Sequence, residues 1–211
     1  MRVMKTTRGI LFFVLACLVA FAGCTTKKGK TIANIKLGIE TETNASVKYA
    51  AFAQKAWVEG YDTIAKLFEA ASKAEAIHAS NHESVLKTFL VEMDKFSPEF
   101  NVKSTSENLQ ETIDGEKYEV NTMYPMFIKD AKSSKSIKKP VIQSLTWALE
   151  TEKKHLKMFS QALEALKTNT EYNLPFNYFI CPVCGNTFDK DTAPDTCDLC
   201  GNSKDFYLEI K

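Results

Sequence analysis

Two glutamate–histidine pairs of identical spacing stand out in this 211-residue chain: Glu75-Ala-Ile-His78 and Glu152-Lys-Lys-His155. Residues three apart share a helix face, so each pair aims a carboxylate and an imidazole at one region. Oxygen and imidazole donors of this kind suit iron or manganese. A second donor group is sulfur: Cys181-Pro-Val-Cys184-Gly and Cys197-Asp-Leu-Cys200-Gly. Two such knuckles can wrap one tetrahedral ion in four thiolates, and the glycine after each second Cys fits a tight turn that aims backbone N–H groups at sulfur. Spacing alone does not separate zinc from iron, and two disulfides are the alternative in an oxidising compartment.

The elements that must position the first group are helices. Ile64, Phe68, Ala71, Glu75, His78, His82, Val85 and Phe89 follow each other in steps of four and three, as do Val141, Leu145, Ala148, Glu152, His155, Phe159, Ala162 and Leu166. Each Glu-x-x-His therefore lies on an otherwise apolar stripe that faces a core. Ile39, Glu42, Ser46 and Tyr49 put a further Glu inward. Leu109, Ile113, Glu116, Val120, Met123 and Phe127 do the same, with Glu119 one turn past Glu116. Burying five carboxylates without partners costs several kcal/mol each. No Lys or Arg lies on these stripes, so two metal cations are the expected compensation. One Glu from each of two helices plus Glu-x-x-His from two others is the ferritin-like di-metal arrangement. His82 is needed by no such pattern and reads as a core or supporting residue.

The pattern predicts helices near 35–59, 61–93, 104–132 and 138–167, with Pro125 imposing a kink or bulge in the third and Pro140 suiting the first turn of the fourth. The fold class is mainly α: a ferritin-like four-helix bundle over 35–168, a linker at 169–177, and a small β/knuckle domain over 178–211. Residues 1–23 read as a lipoprotein signal peptide. Arg2, Lys5 and Arg8 precede a short apolar run, and Phe21-Ala22-Gly23-Cys24 resembles a lipobox, with Cys24 as the lipidation site. Residues 24–34, polar and Lys-rich, read as a tether. This predicts an exported lipoprotein facing the periplasm or cell exterior, joined to the membrane through its lipid anchor only.

Composition excludes more than it assigns. With 45% hydrophobic and 25% charged residues the chain is globular. A net charge of +1 gives no electrostatic footprint for nucleic acid, and no Gly-rich dinucleotide fingerprint is present. Of six cysteines, Cys17 leaves with the signal and Cys24 takes lipid, which leaves the four of the knuckles.

Across nearly the whole mature chain the sequence resembles rubrerythrins. The matches are Glu42 with Tyr49 and Phe52, Glu75-Ala-Ile-His78, Glu107-Asn-Leu, Gly115-Glu116-Lys-Tyr-Glu119, Met123-Tyr-Pro125 and Glu152-Lys-Lys-His155. Phe179-Ile-Cys181, Ala193-Pro194 and Phe206-Tyr207 resemble the family's rubredoxin-like domain. The Gly-Glu-x-x-Glu run is the most specific, because plain ferritins lack the additional ligand that Glu119 would supply. Asn186 and Ser203 depart from the usual aromatic and Pro, which bears on the packing or potential of the Cys site without removing a ligand.

The resemblance implies a non-haem iron peroxidase that reduces hydrogen peroxide to water in oxidative stress defence. Its di-iron ligands would be Glu42, Glu75, His78, Glu116, Glu119, Glu152 and His155, with Glu75 and Glu152 bridging and Glu119 exchanging with His78 as the redox state changes. Tyr49 would donate a hydrogen bond to a ligand or to peroxide. A mononuclear iron on Cys181, Cys184, Cys197 and Cys200 would return electrons from an external donor or reductase. Family members pair head to tail, so a homodimer is expected, the Cys site of one subunit serving the bundle of another. Two other activities suit the same residues: an iron-binding or ferroxidase-type protein with a purely structural metal on the four cysteines, and a di-iron oxidase that uses dioxygen.

Overall fold

The computed structural model describes residues 26–134 and 139–211. Helix α1 spans Lys27–Glu59, α2 Asp62–Lys87, α3 Thr105–Tyr118, α4 Tyr124–Ser133 and α5 Lys139–Lys167. A five-residue π-helical turn, Glu119–Met123, joins α3 to α4, so these two form one interrupted third helix of a four-helix bundle. Three short strands follow: β1 Tyr178–Ile180, β2 Thr187–Asp189 and β3 Leu208–Ile210. β1 is central and antiparallel to both neighbours, with Phe179 opposite Phe188 and Glu209.

Helix α1 begins earlier than the sequence pattern suggests. Thr26 caps it by accepting from the Gly29 amide at 3.0 Å, and Thr31 and Asn34 are buried. Asn34 donates to Asp130 on α4 at 3.0 Å. Residues 27–34 are thus the first turns of the bundle and not a tether; their polar character concealed them because their buried side chains are satisfied by hydrogen bonds and not by apolar contact. The signal peptide and Cys24 lie outside the described residues. Among the described residues no helix is long and apolar enough to cross a membrane.

Helix α2 also stops short of the expected position near 93. The amides of Thr88, Phe89 and Leu90 bond back three residues, to Val85, Leu86 and Lys87. The Thr88 hydroxyl takes the Val85 carbonyl as well, at 2.8 Å. This tightened end consumes the carbonyls that would propagate an α-helix, and Leu90 leaves it at φ 57°.

The expected disturbance at Pro125 takes the form of the π-turn. The Tyr124 amide bonds to Glu119 five residues back, and Pro125 has no N–H with which to continue. The extra residue per turn rotates the buried stripe: Glu119 and Met123 are buried while Val120 is only half-buried.

Two apolar clusters fill the bundle. One is built around Phe52, Phe68, Leu109 and Phe159; the other around Ile39, Phe127, Val141 and Leu145. The acidic residues lie between them in sequence on every helix, so the bundle's polar layer is bracketed by packed hydrocarbon.

Candidate metal centres

Each of the four helices delivers a carboxylate to that layer. Glu42 from α1, Glu75 from α2, Glu116 from α3 and Glu152 from α5 are all at most 1% exposed, as are His78 and His155. Their donor atoms form two overlapping groups. Glu42, Glu75, His78 and Glu152 make one, and Glu75, Glu116, Glu152 and His155 the other, each within a 4.8 Å span. Glu75 and Glu152 belong to both.

The close approaches show what the arrangement is built for. Nδ1 of His78 lies 2.9 Å from Glu75 Oε2, 2.9 Å from Glu152 Oε1 and 3.8 Å from Glu42 Oε2. Nδ1 of His155 lies 2.9 Å from Glu152 Oε2 and 3.0 Å from Glu75 Oε1. One imidazole nitrogen carries at most one proton, so it cannot hydrogen-bond to all the oxygens that crowd it. Glu42 Oε2, Glu75 Oε1, Glu116 Oε2 and Glu152 Oε1 are buried without hydrogen-bond partners. Convergent, unpartnered oxygens with an imidazole nitrogen in each group are the donor set of two hard cations.

Electrostatics agree. Burial, then the Glu152 charge, push Glu42 well above the usual carboxylate range. Burial and the same neighbour raise Glu116. Burial opposes ionisation of Glu75 most strongly, yet His155 and His78 outweigh it and hold this carboxyl at about 2. Burial would lower both His78 and His155, but Glu152 for the first and Glu75 for the second raise them well above the ordinary imidazole value. The cluster demands positive charge, which metal ions supply.

Two tyrosines hold the outer carboxylates. Tyr49 donates to Glu116 Oε1 at 2.8 Å, and Tyr124 donates to Glu42 Oε1. Behind Tyr124 stands His82, whose Nε2 is 3.1 Å from the phenol oxygen and whose Nδ1 is 2.7 Å from Ser144 Oγ. Since Tyr124 gives its proton to Glu42, His82 donates from Nε2 and accepts from Ser144. The supporting role read for His82 takes this form. Tyr124 lay within the Met123-Tyr-Pro125 match without a role of its own, and Ser144 was not singled out in the sequence.

Glu119 is placed differently. It is buried, at 8% exposure, on the π-turn, but it stands outside both donor groups. Burial, then the charge of Glu42, push its carboxyl up.

In the C-terminal module, Cys181, Cys184, Cys197 and Cys200 are free thiols with all four sulfurs within 4.8 Å of one another. Cys181 and Cys200 are 3.4 Å apart, Cys184 and Cys197 3.5 Å. These separations exceed a disulfide bond and approach the roughly 3.8 Å edge of a tetrahedral thiolate site with 2.3 Å bonds. Gly185 and Gly201 take φ values of 80° and 78°. Within these turns the backbone amides of Val183 and Cys184 serve Cys181, and that of Asn202 serves Cys200.

The module sits on the histidines of its own chain. Thr187 Oγ1 is 2.9 Å from His155 Nε2. A Cβ on Gly185 would collide with His78 Nε2. Asn81 donates to the Val183 carbonyl, Trp147 to that of Leu199, and Lys154 pairs with Asp198. In the structure of the single chain these contacts are made between its own module and bundle. Neither Thr187 nor Gly185 was foreseen as a neighbour of the bundle, because sequence spacing is silent on how two modules dock.

The rubrerythrin family profile matches residues 33–163, and the profile of the rubrerythrin rubredoxin-like domain matches residues 179–207. The chain belongs to the rubrerythrin family. It is 34% identical to Rubrerythrin-2 of Clostridium acetobutylicum, over 79% of this chain and 89% of that protein. To Nigerythrin of Nitratidesulfovibrio vulgaris it is 31% identical, over 86% and 87% of the two chains. The structure of fully reduced, all-ferrous nigerythrin superimposes with a TM-score of 0.75 at 27% identity, covering 98% of this chain and 100% of that one. As a rubrerythrin, the chain has a di-iron site in its Glu/His layer and a rubredoxin-type centre on its four cysteines.

Proposed function

We propose that this rubrerythrin is a peroxidase that reduces hydrogen peroxide to two waters with two electrons and two protons, in defence against oxidative stress. The observation that carries the reading is the sharing of Glu75 and Glu152 between two donor groups, with Glu119 buried on the neighbouring π-turn as a further carboxylate. Two ferrous ions held by these groups would supply the two electrons for O–O cleavage.

The chain's own residues do the rest. Glu75 and Glu152, common to both donor groups, would be shared between two ions, and Glu42 and Glu116, kept in orientation by Tyr124 and Tyr49, would each hold one. Glu119 is the carboxylate available to replace His78 as a ligand, and the π-turn gives its backbone the slack to do so. The aromatic wall of Phe68 and Phe159 around Tyr49 keeps bulk water from that flank of the layer. Iron held by Cys181, Cys184, Cys197 and Cys200 would return electrons received from an external donor or reductase. A homodimer fits this reading: head-to-tail pairing with exchange of the C-terminal modules would preserve the same contacts between module and bundle.

Export as a lipoprotein anchored through Cys24 is part of the same proposal. It rests on the sequence of residues 1–24, and is tested by radiolabelled fatty acid incorporation into wild type and Cys24→Ala; label in both would contradict it. The catalytic reading is tested by peroxide turnover with a reduced donor in wild type and in Glu119→Ala. The variant should retain its iron and lose most turnover. Equal rates would remove Glu119 from the mechanism.

A further inference from the structure

The two knuckles have the same local sequence, Cys-x-x-Cys-Gly-Asn, ending in Asn186 and Asn202. Their backbones are matched as well. Cys181 N–H bonds to the Asn186 carbonyl at 2.9 Å, and Cys197 N–H to the Asn202 carbonyl at 2.8 Å; the Gly185 and Gly201 amides both bond back at 2.9 Å to the first cysteine of their knuckle. The asparagine side chains break this symmetry. Asn202 is half-buried and its amide donates to the neighbouring Ser203 carbonyl at 3.3 Å. Asn186 is wholly buried, and its Nδ2 crosses to the other knuckle. There it lies 3.6 Å from Cys197 Sγ and 2.5 Å from Asp198 Oδ1. Its Oδ1 has no partner.

We infer that Asn186 is a positioning residue that sets the reduction potential of the four-thiolate iron centre by donating a side-chain N–H to Cys197 Sγ. The inference rests on the cysteines holding iron and is independent of the peroxide chemistry. The physical argument is charge. When the centre takes up one electron, no bond forms or breaks, and the iron with its thiolates becomes one unit more negative. A hydrogen-bond donor on sulfur stabilises the more negative form and so raises the potential. The amide has two hydrogens, one for sulfur and one for Asp198. The carboxylate thereby fixes the rotamer that serves the thiolate, and Lys154, 3.2 Å from Asp198, holds the carboxylate. An orphaned buried Oδ1 costs stability; a side chain of the same size without polar atoms would avoid that cost.

The test is a spectroelectrochemical titration of the visible thiolate-to-iron bands in the full-length, iron-loaded protein. Asn186→Leu keeps the volume and removes the donor. It should lower the midpoint by an about tenfold change in the reduction equilibrium, about 59 mV for one electron, at unchanged iron content. Asn186→Asp should lower it further by adding charge. Asn202→Leu, the matched change in the other knuckle, should shift it less. An unmoved midpoint in Asn186→Leu, or equal shifts in both leucine variants, would overturn the inference. Should the variants fail to hold iron, wild-type protein loaded with ¹¹³Cd decides: a scalar coupling from the Asn186 side-chain amide proton to the metal across the N–H···S bond supports it, and absence of the coupling overturns it.

Discussion

The hydroxyl of Thr187 bridges the two metal centres: its oxygen accepts from His155 Nε2 at 2.9 Å, and its proton goes to the Gly185 carbonyl at 3.2 Å. Gly185 follows the ligand Cys184 directly in the chain. A single threonine thus links a thiolate ligand of one centre to an imidazole donor of the other through two hydrogen bonds. The same bond fixes which ring nitrogen of His155 faces the carboxylates.

Thr187→Val keeps the shape and removes the bridge. The variant should retain both metals and show electron delivery from the thiolate centre to the bundle slowed by about 10–100-fold, the usual cost of losing such a supporting bond. Rapid-mixing absorbance at the thiolate bands measures this, and an unchanged rate would show that electrons take another route.

Gly185 and Gly201 permit a controlled pair of substitutions. Both need the left-handed backbone, but a Cβ at Gly185 would press on His78 Nε2 and, at 3.1 Å, on the Ala74 carbonyl, whereas nothing lies within 4 Å at Gly201. Gly201→Ala should cost about 1–2 kcal/mol of conformational strain. Gly185→Ala should cost more by about 1–3 kcal/mol and reduce metal binding in the bundle by displacing His78. Denaturation curves with metal analysis distinguish the two.

His82 makes stability depend on acid. Burial first, and then His78, lower its pKa from the ordinary 6.5 to about 3. Between those values the unfolded chain takes up a proton that the folded chain refuses, so stability is full above pH 6.5 and falls as the pH drops toward 3. The loss over the full window is about 5 kcal/mol. His82→Gln should be the less stable protein at neutral pH, having broken the bond to Tyr124, and the gap between the two should narrow on acidification. Thermal unfolding at about pH 7, 6 and 5, across the start of that window, shows whether the midpoints converge; a constant gap would contradict this account of His82.

Metal removal should act unequally on the two parts. The C-terminal module has strands of three residues each and a core largely of cysteines with Phe188 and Tyr207, too small to fold unaided. The bundle has one apolar cluster wholly its own and a second, of mostly helical residues, that also takes in Tyr178 and Ile180 of β1. Chelation should open residues 178–211 to proteolysis and hydrogen exchange while the helical signal persists. Simultaneous loss of both would mean that the two fold as one unit.

The bundle and its donor set were legible because helix periodicity places charge on an otherwise apolar stripe, and Glu42, Glu75, His78, Glu116, Glu152 and His155 all converge as that reasoning requires. The register within the third helix was not. Pro125 signalled a disturbance, and Glu119 and Met123 are buried as the stripe required, but Val120, read as inward with them, is only half-buried because the π-turn shifts the register. Residues 27–34 were misread because Thr31 and Asn34 are buried polar groups, which periodicity counts as surface. Asn186 stood out as a departure near the Cys site and Tyr124 lay within a matched motif, but their partners, like that of Thr187, belong to elements distant in the chain, and pairwise contacts of that kind leave no local pattern.

The central claim is that peroxide is the oxidant of the di-iron site and that the thiolate centre feeds it. Its most direct test is to mix the fully reduced protein with one equivalent of hydrogen peroxide, or with dioxygen, and follow both centres by stopped-flow absorbance. Peroxide should oxidise the bundle about tenfold faster than dioxygen or more, a barrier difference of about 1.4 kcal/mol, and the ferric thiolate bands should then rise as an electron leaves the iron held by the cysteines. Oxidation by dioxygen at an equal or higher rate, or a thiolate centre that stays reduced, would contradict it.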